Sequence, residues 1–215
     1  LCGRIRHKID DDFPEITESL FQIIYPHYIS PIPSMTMVRF DPVRQTITSS
    51  GLPIEKGTQL YSKPVSGTAC QFSTAYPAVL WPVDVMAAGL RDLKRLKEGA
   101  QQTLLIQLKS YNNLSMAQVG FDTLRFYLNG SHQHMFVLYE LLFNHVTAVE
   151  METRGKDGTT KIVTYGPEVI RPVGFEPDEV LIPASTRSFP GYLTLFEYFC
   201  FPEKFLFFDL TGFSG

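Results

Sequence analysis

The sequence predicts an α+β fold in three parts: a helical arm with a proline-rich connector over 1–33, a β-rich barrel or sandwich over 34–119, and a mixed α+β part over 120–215. Three observations carry this. Apolar residues recur at three- and four-residue steps up to Ile24. The period changes to two at Met35, with turn-forming pairs about every ten residues. Beyond Gly120, strand-like and helix-like runs alternate.

In the first part, Ile5, Ile9, Phe13, Ile16, Leu20, Ile23 and Ile24 form one stripe, while Glu15, Glu18, Ser19 and Gln22 fall opposite it. Residues 1–25 therefore read as one or two amphipathic helices. Pro14 marks the joint, because proline lacks an N–H but suits a helix's first turn, with Asp12 as the candidate N-cap. The trio Asp10-Asp11-Asp12 lacks the alternating spacing of a calcium loop and reads as negative charge near a helix N-terminus. Pro26, Pro31 and Pro33 end the helical run, and 28–33 reads as an extended connector.

In the second part, strands are expected at 35–40 and around Ile47, Ile54, Leu60, Phe72 and Val79. Turns at Asp41-Pro42, Ser50-Gly51, Lys56-Gly57 and Ser66-Gly67 separate them. Residues 81–85 and 103–109 add two further strands, and Tyr111-Asn112-Asn113 closes the region. In the third part, 124–128 reads as a strand and Asn129-Gly130 as a turn. Ser131 is the N-cap of a helix striped by Met135, Leu138, Tyr139, Leu142 and Val146. A hairpin of 147–152 and 159–165 turns at Arg154-Gly155-Lys156-Asp157-Gly158. Tyr192, Leu195, Phe196 and Phe199 mark a last helix, and 205–208 a last strand.

With 215 residues, 44% of them hydrophobic and 19% charged, the chain can build a core and is not disordered as a whole. The 19 Lys and Arg against 22 Asp and Glu leave a formal net charge of -3, without the basic excess that favours nucleic acid. Residues 91–97 (RDLKRLK) are interrupted by Asp92 and read as a solvated helix face or turn. Cys2, Cys70 and Cys200 are odd in number and far apart, which is neither a disulfide framework nor a Cys-pair zinc pattern. They read as reduced and cytosolic, with Cys70 and Cys200 as small core hydrophobes. No apolar run approaches the roughly 18 residues of a membrane span, and no secretory leader opens the chain. With Leu1 at its start, 17 Phe, 10 Tyr, 15 Pro and a small-residue run at its end, the chain reads as a piece truncated at the C-terminus.

No catalytic constellation is expected. His132-Gln133-His134 could give a metal two imidazoles, but residues two apart do not share a helix face and a third ligand would have to come from far away. The exposed start of a helix is the simpler reading. His145 makes no helical-face pair with His134, and His7 and His27 read as polar-face or interface residues. There is no Gly-x-Ser-x-Gly elbow and no phosphate loop ending in Gly-Lys-Ser/Thr. Catalytic, cofactor and metal sites are therefore all expected to be none, with a metal-dependent hydrolase as the remote alternative.

Several segments are specific without being chemical: 4–15 (RIRHKIDDDFPE), 20–28 (LFQIIYPHY), 31–35 (PIPSM), 173–179 (VGFEPDE), 187–192 (RSFPGY) and 201–209 (FPEKFLFFD). In these the chain resembles the TssF (VasA/ImpG) family, the wedge protein of the type VI secretion baseplate. Residues 51–58 (GLPIEKGT) look like the entry to a baseplate J-like domain of contractile phage wedge proteins. Family members are much longer. The resemblance implies a non-catalytic structural role in the cytoplasm, at the inner-membrane-docked baseplate of a Gram-negative bacterium. It implies two copies per wedge, joined by TssG, TssE and TssK around the VgrG hub beneath the contractile sheath, with no nucleic acid and no membrane insertion. A wedge of a contractile phage or phage-like tail is the nearest alternative. The stripe Ile9, Phe13, Ile16, Leu20, Ile23 and Ile24 is the expected partner-binding surface, with packing on the chain's own β part as the alternative.

Overall fold

The computed structural model describes residues 2–43, 46–92, 101–111, 114–155, 158–183 and 189–213. The chain is α+β, with small open sheets of two or three strands. It divides into two compact units, one made of Leu1–Met37 with Val173–Phe207 and the other of Val38–Pro172 with Phe208–Gly215.

Helix α1 (Cys2–Ile24) runs 23 residues without a break and carries Pro14 inside it. The joint expected at Pro14, with Asp12 as its cap, is absent, and Asp10, Asp11 and Asp12 lie in mid-helix rather than at an N-terminus. The physical reason is that Pro14 removes one backbone donor, whereas stopping and restarting a helix leaves several donors and acceptors unsatisfied on each side. The apolar periodicity continues across the proline and keeps both halves helical. One further turn, α2 (Pro26–Ile29), begins on a proline and buries His27.

Residues 35–40 form no strand. Met35, Met37 and Phe40 are half-buried and their neighbours exposed, so the alternation is real, but among the described residues no ladder pairs with this stretch. A period-two pattern specifies an extended chain, not a partner for it. Ile47 likewise lies outside any strand and is a core residue at 2% exposure.

The next four strands make one interrupted hairpin. Strand β1 (Leu52–Ile54) pairs antiparallel with β4 (Ala78–Leu80), and β2 (Gln59–Tyr61) with β3 (Gln71–Ser73), the inner pair nested inside the outer. Leu52 faces Leu80 and Tyr61 faces Gln71, so the two ladders share one register, which slips by one residue at the Val65–Thr68 bridge near the tip. The gap between the two ladders is stitched by threonine. The Thr58 and Thr74 hydroxyls both donate to the Glu55 carbonyl at 2.7 Å, and the Thr58 amide donates to Thr74 Oγ1 at 3.0 Å. At the tip, Ser66 (φ 51) and Gly67 (φ 86) are both left-handed, as a tight hairpin turn of right-handed twist requires. Cys70 lies beside this tip and is exposed, so it is not the core hydrophobe expected of it. Its amide donates to Ser62 Oγ at 3.0 Å.

Strands β5 (Val83–Arg91) and β6 (Thr103–Ser110) form a second ribbon, with a bulge between Val85 and Ala87. Its Val83 and Leu108 pack on a core of Val119, Phe121 and Leu124, which Trp81 and Phe213 close edge-on against Phe121 at 6.0 and 5.3 Å. Strand β7 (Thr123–Tyr127) leads through Asn129-Gly130 to α3 (His132–Asn144), with Ser131 at the expected N-cap position but with no capping bond from its side chain. Strands β8 (Val149–Arg154) and β9 (Thr160–Tyr165) are the expected hairpin. Strand β10 (Ile170–Pro172) and β7 flank β11 (Phe207–Thr211) in a three-stranded sheet. There Arg125 clamps Asp209 through two 2.8 Å bonds, and Phe126 stacks on Phe208 at 5.4 Å. The strand expected at 205–208 begins later, because Pro202–Leu206 coil into a 3-10 turn that buries Lys204, Phe205 and Leu206. Helix α4 (Pro190–Cys200) is the last helix.

Gly51 opens the long hairpin at φ +77, where a Cβ would come within 2.5 Å of Val79 Cγ1 and 3.0 Å of Trp81 Cε3. Gly57 is left-handed too (φ +87), but its Cβ would meet open space. Gly57→Ala should cost about 1–2 kcal/mol from backbone strain alone. Gly51→Ala should cost more than Gly57→Ala, because strain and collision add, with the difference read as a lower midpoint in urea unfolding.

Candidate docking surface

Helix α4 has the sequence PGYLTLFEYFC, in which Glu197 is the one charge. Leu193 and Glu197 are a turn apart, so they share a face, and both are buried. A carboxylate in such a place must be met by donors. The Leu181 and Ile182 amides donate to Glu197 Oε1 at 2.8 and 3.0 Å, and Lys204 Nζ donates to Oε2. Lys204 is equally buried and also lies 5.0 Å from the centre of the Phe205 ring. Phe175 and Tyr198 close on that ring at 5.0 and 5.7 Å. Gly174 (φ +106) lets the backbone approach Phe205, and its amide donates to Glu179 Oε2 at 2.6 Å. The same oxygen accepts the Glu176 amide at 3.2 Å, which closes a capping box on the 3-10 turn Pro177–Glu179. The recognised segments 173–179 and 201–206 are this clasp.

The same unit holds the end of α1. Tyr25 packs 5.2 Å from Tyr192 and edge-on to Phe196 at 6.5 Å, and its hydroxyl donates to the Tyr192 carbonyl at 3.3 Å. Phe21 stacks on Tyr28 at 5.1 Å. Burial, and then the nearby Cys200 thiol, push the Tyr25 phenol above its usual pKa, so it stays a neutral donor.

Outside these anchors the surface is apolar. On α1, Ile16, Leu20, Ile23 and Ile24 are 69%, 55%, 53% and 47% exposed. The side chains of Ile9 and Phe13 lie outside the described residues. On α4, the face away from Leu193 and Glu197 presents Leu195 and Phe199, Phe199 being 76% exposed. Exposed aliphatic side chains at helical spacing carry no chemistry, but each binds by the area it removes from water.

His132 and His134 stand at the start of α3, where Ser131 Oγ lies 2.8 Å from His134 Nδ1. His145 lies 4.0 Å from Glu140 of the same helix. Among the described residues, no group of three or more His, Cys, Asp or Glu could hold a metal. No described helix is long and apolar enough to cross a membrane. Sequence reasoning missed the Glu197–Lys204 clasp and the Tyr25 anchor. The available signal was a lone charge set between Phe196 and Tyr198 in an otherwise apolar helix.

Residues 1–215 match the family model described as Type VI secretion system, TssF. The chain is similar to type VI secretion system component TssF1 of Pseudomonas aeruginosa (strain PAO1), 34% identical over 223 residues that cover 99% of this chain and 36% of that protein. It is also similar to a chain in the cryo-electron microscopy structure of the type VI secretion system TssK-TssF-TssG baseplate subcomplex. That match has a TM-score of 0.79 and 29% identity and covers 98% of this chain and 39% of that one. This chain therefore spans little more than a third of the relatives it matches.

Removing one half of the buried pair should be costly and asymmetric. Glu197→Ala leaves an ammonium and two backbone N–H groups buried without an acceptor and should cost about 3–5 kcal/mol. Lys204→Met leaves a carboxylate still bonded to two amides and should cost less. Urea midpoints of the two variants against the parent give the comparison.

Proposed function

The chain belongs to the TssF family of the type VI secretion system, and on that premise we propose that it is part of a non-catalytic baseplate wedge subunit that docks on protein partners through the apolar stripe of α1. One observation carries the reading: Ile16, Leu20, Ile23 and Ile24 keep about half or more of their surface in water while the helix end beside them is anchored. A stripe of this kind is stable in a helix only when something covers it. We extend the surface to Ile9 and Phe13, which continue the same spacing.

TssG and TssK are the first partners to expect, because the solved relative is described as a TssK-TssF-TssG subcomplex. A second copy of the subunit, TssE and the VgrG hub complete the proposed wedge, whose task is to anchor and trigger the sheath. The proposed place is the cytoplasmic side of the inner membrane. The division at 33 and 119, with 34–119 as the counterpart of a J-like domain, belongs to the same proposal.

The test is co-purification of the protein with a TssG-type partner. Leu20→Asp with Ile24→Asp should abolish capture and leave the circular dichroism spectrum and melting midpoint close to the parent's. Capture at the parent's level by a folded double variant would overturn the assignment of this stripe.

A further inference from the structure

The turn between β7 and α3 contains Asn129-Gly130, the one Asn-Gly pair in the sequence. Both residues are exposed, and among the described residues neither takes part in a hydrogen bond. The Gly130 amide nitrogen is thus unencumbered next to an asparagine side chain, and glycine offers no Cβ to hinder attack. Asn144, at the end of α3, is a built-in comparison. It is equally exposed, but the following amide, that of His145, is held by the Leu141 carbonyl at 3.0 Å.

We propose that Asn129 is a site of spontaneous backbone-assisted deamidation. The Gly130 nitrogen attacks Cγ of Asn129, a nitrogen–Cγ bond forms, and the Cγ–Nδ2 bond breaks. Ammonia leaves, taking up the proton lost by the Gly130 amide, and a five-membered imide remains. Water then opens either imide carbonyl, giving an aspartyl linkage or an isoaspartyl linkage in which the chain runs through the side-chain carbon. No oxidant or reductant is needed. The product is a new carboxylate just before the Ser131 N-cap, beside a helix whose first turn holds no acidic residue. Negative charge is favoured at that end of a helix, so the aspartyl form should fold. The isoaspartyl form puts an extra methylene into the turn.

Incubation of the full chain at pH 7.4–8, followed by peptide mass mapping, tests this. The peptide holding Asn129 should gain about one mass unit and split into two chromatographic forms. Its conversion should exceed that at Asn144 by about ten-fold, of the order expected when one backbone hydrogen bond and a side-chain obstruction are both absent. Asn129→Gln should remove the change at this position. Gly130→Ala should slow it, and there the added Cβ meets only the flexible end of Met135, 2.7 Å away at Cε. Equal conversion at Asn129 and Asn144, or an unchanged rate in Gly130→Ala, would overturn the proposal.

Discussion

Burying the Glu197 carboxylate is tolerable only because donors from two other stretches of chain converge on it. The backbone at 181–182 supplies two of them and Lys204 the third. Each stretch is thereby fixed relative to α4, and the fixing propagates. Lys204 can reach Glu197 only while Pro202–Leu206 are coiled, and that coil presents Phe205 to Phe175 and Tyr198. A buried ion pair of this kind adds little net stability over a well-packed apolar pair, but half of one is far worse than either. Its effect is to make other arrangements of these segments expensive.

Once the clasp is set, α4 has one face committed inward, and its other side remains open. The Tyr25 anchor does the same for α1: it fixes the residue just past the helix on Tyr192 and Phe196 and leaves the stripe before it uncovered. Internal order and exposed apolar surface thus lie on different faces of the same helices. A subunit built for assembly needs both, since a docking face must be rigid enough to lose little entropy when covered.

Much of this was legible in the sequence wherever a local rule sufficed. The helical run of α1, the start of α3 after Ser131, the β8–β9 hairpin and the strands around Ile54, Leu60, Phe72 and Val79 follow from spacing and turn residues. Reading failed where the outcome depended on a distant partner. Residues 35–40 alternate correctly yet find no ladder. Pro14 looked like an end because the cost of a second pair of helix ends does not show in a pattern. Cys70 reads as buried from its apolar neighbours in sequence, yet it lies exposed near a hairpin tip, as Ala69 beside it does. Glu197 drew no reading at all, since nothing local says that amides 15 and 16 residues earlier will turn toward it. Of the candidate surface, the spacing of Ile16, Leu20, Ile23 and Ile24 was legible, and the Tyr25 anchor beside them was not.

The register that the two ladders between Leu52 and Leu80 share has a kinetic meaning. Once Ser66 and Gly67 have turned the chain, every further pair closes a loop only slightly longer than the last, so each step forfeits little additional freedom. The threonine stitch at Glu55 carries the alignment across the gap without a new search. The hairpin is thus built to close like a zipper from its tip, and the side chains of Leu52 and Leu80 reach their final places last.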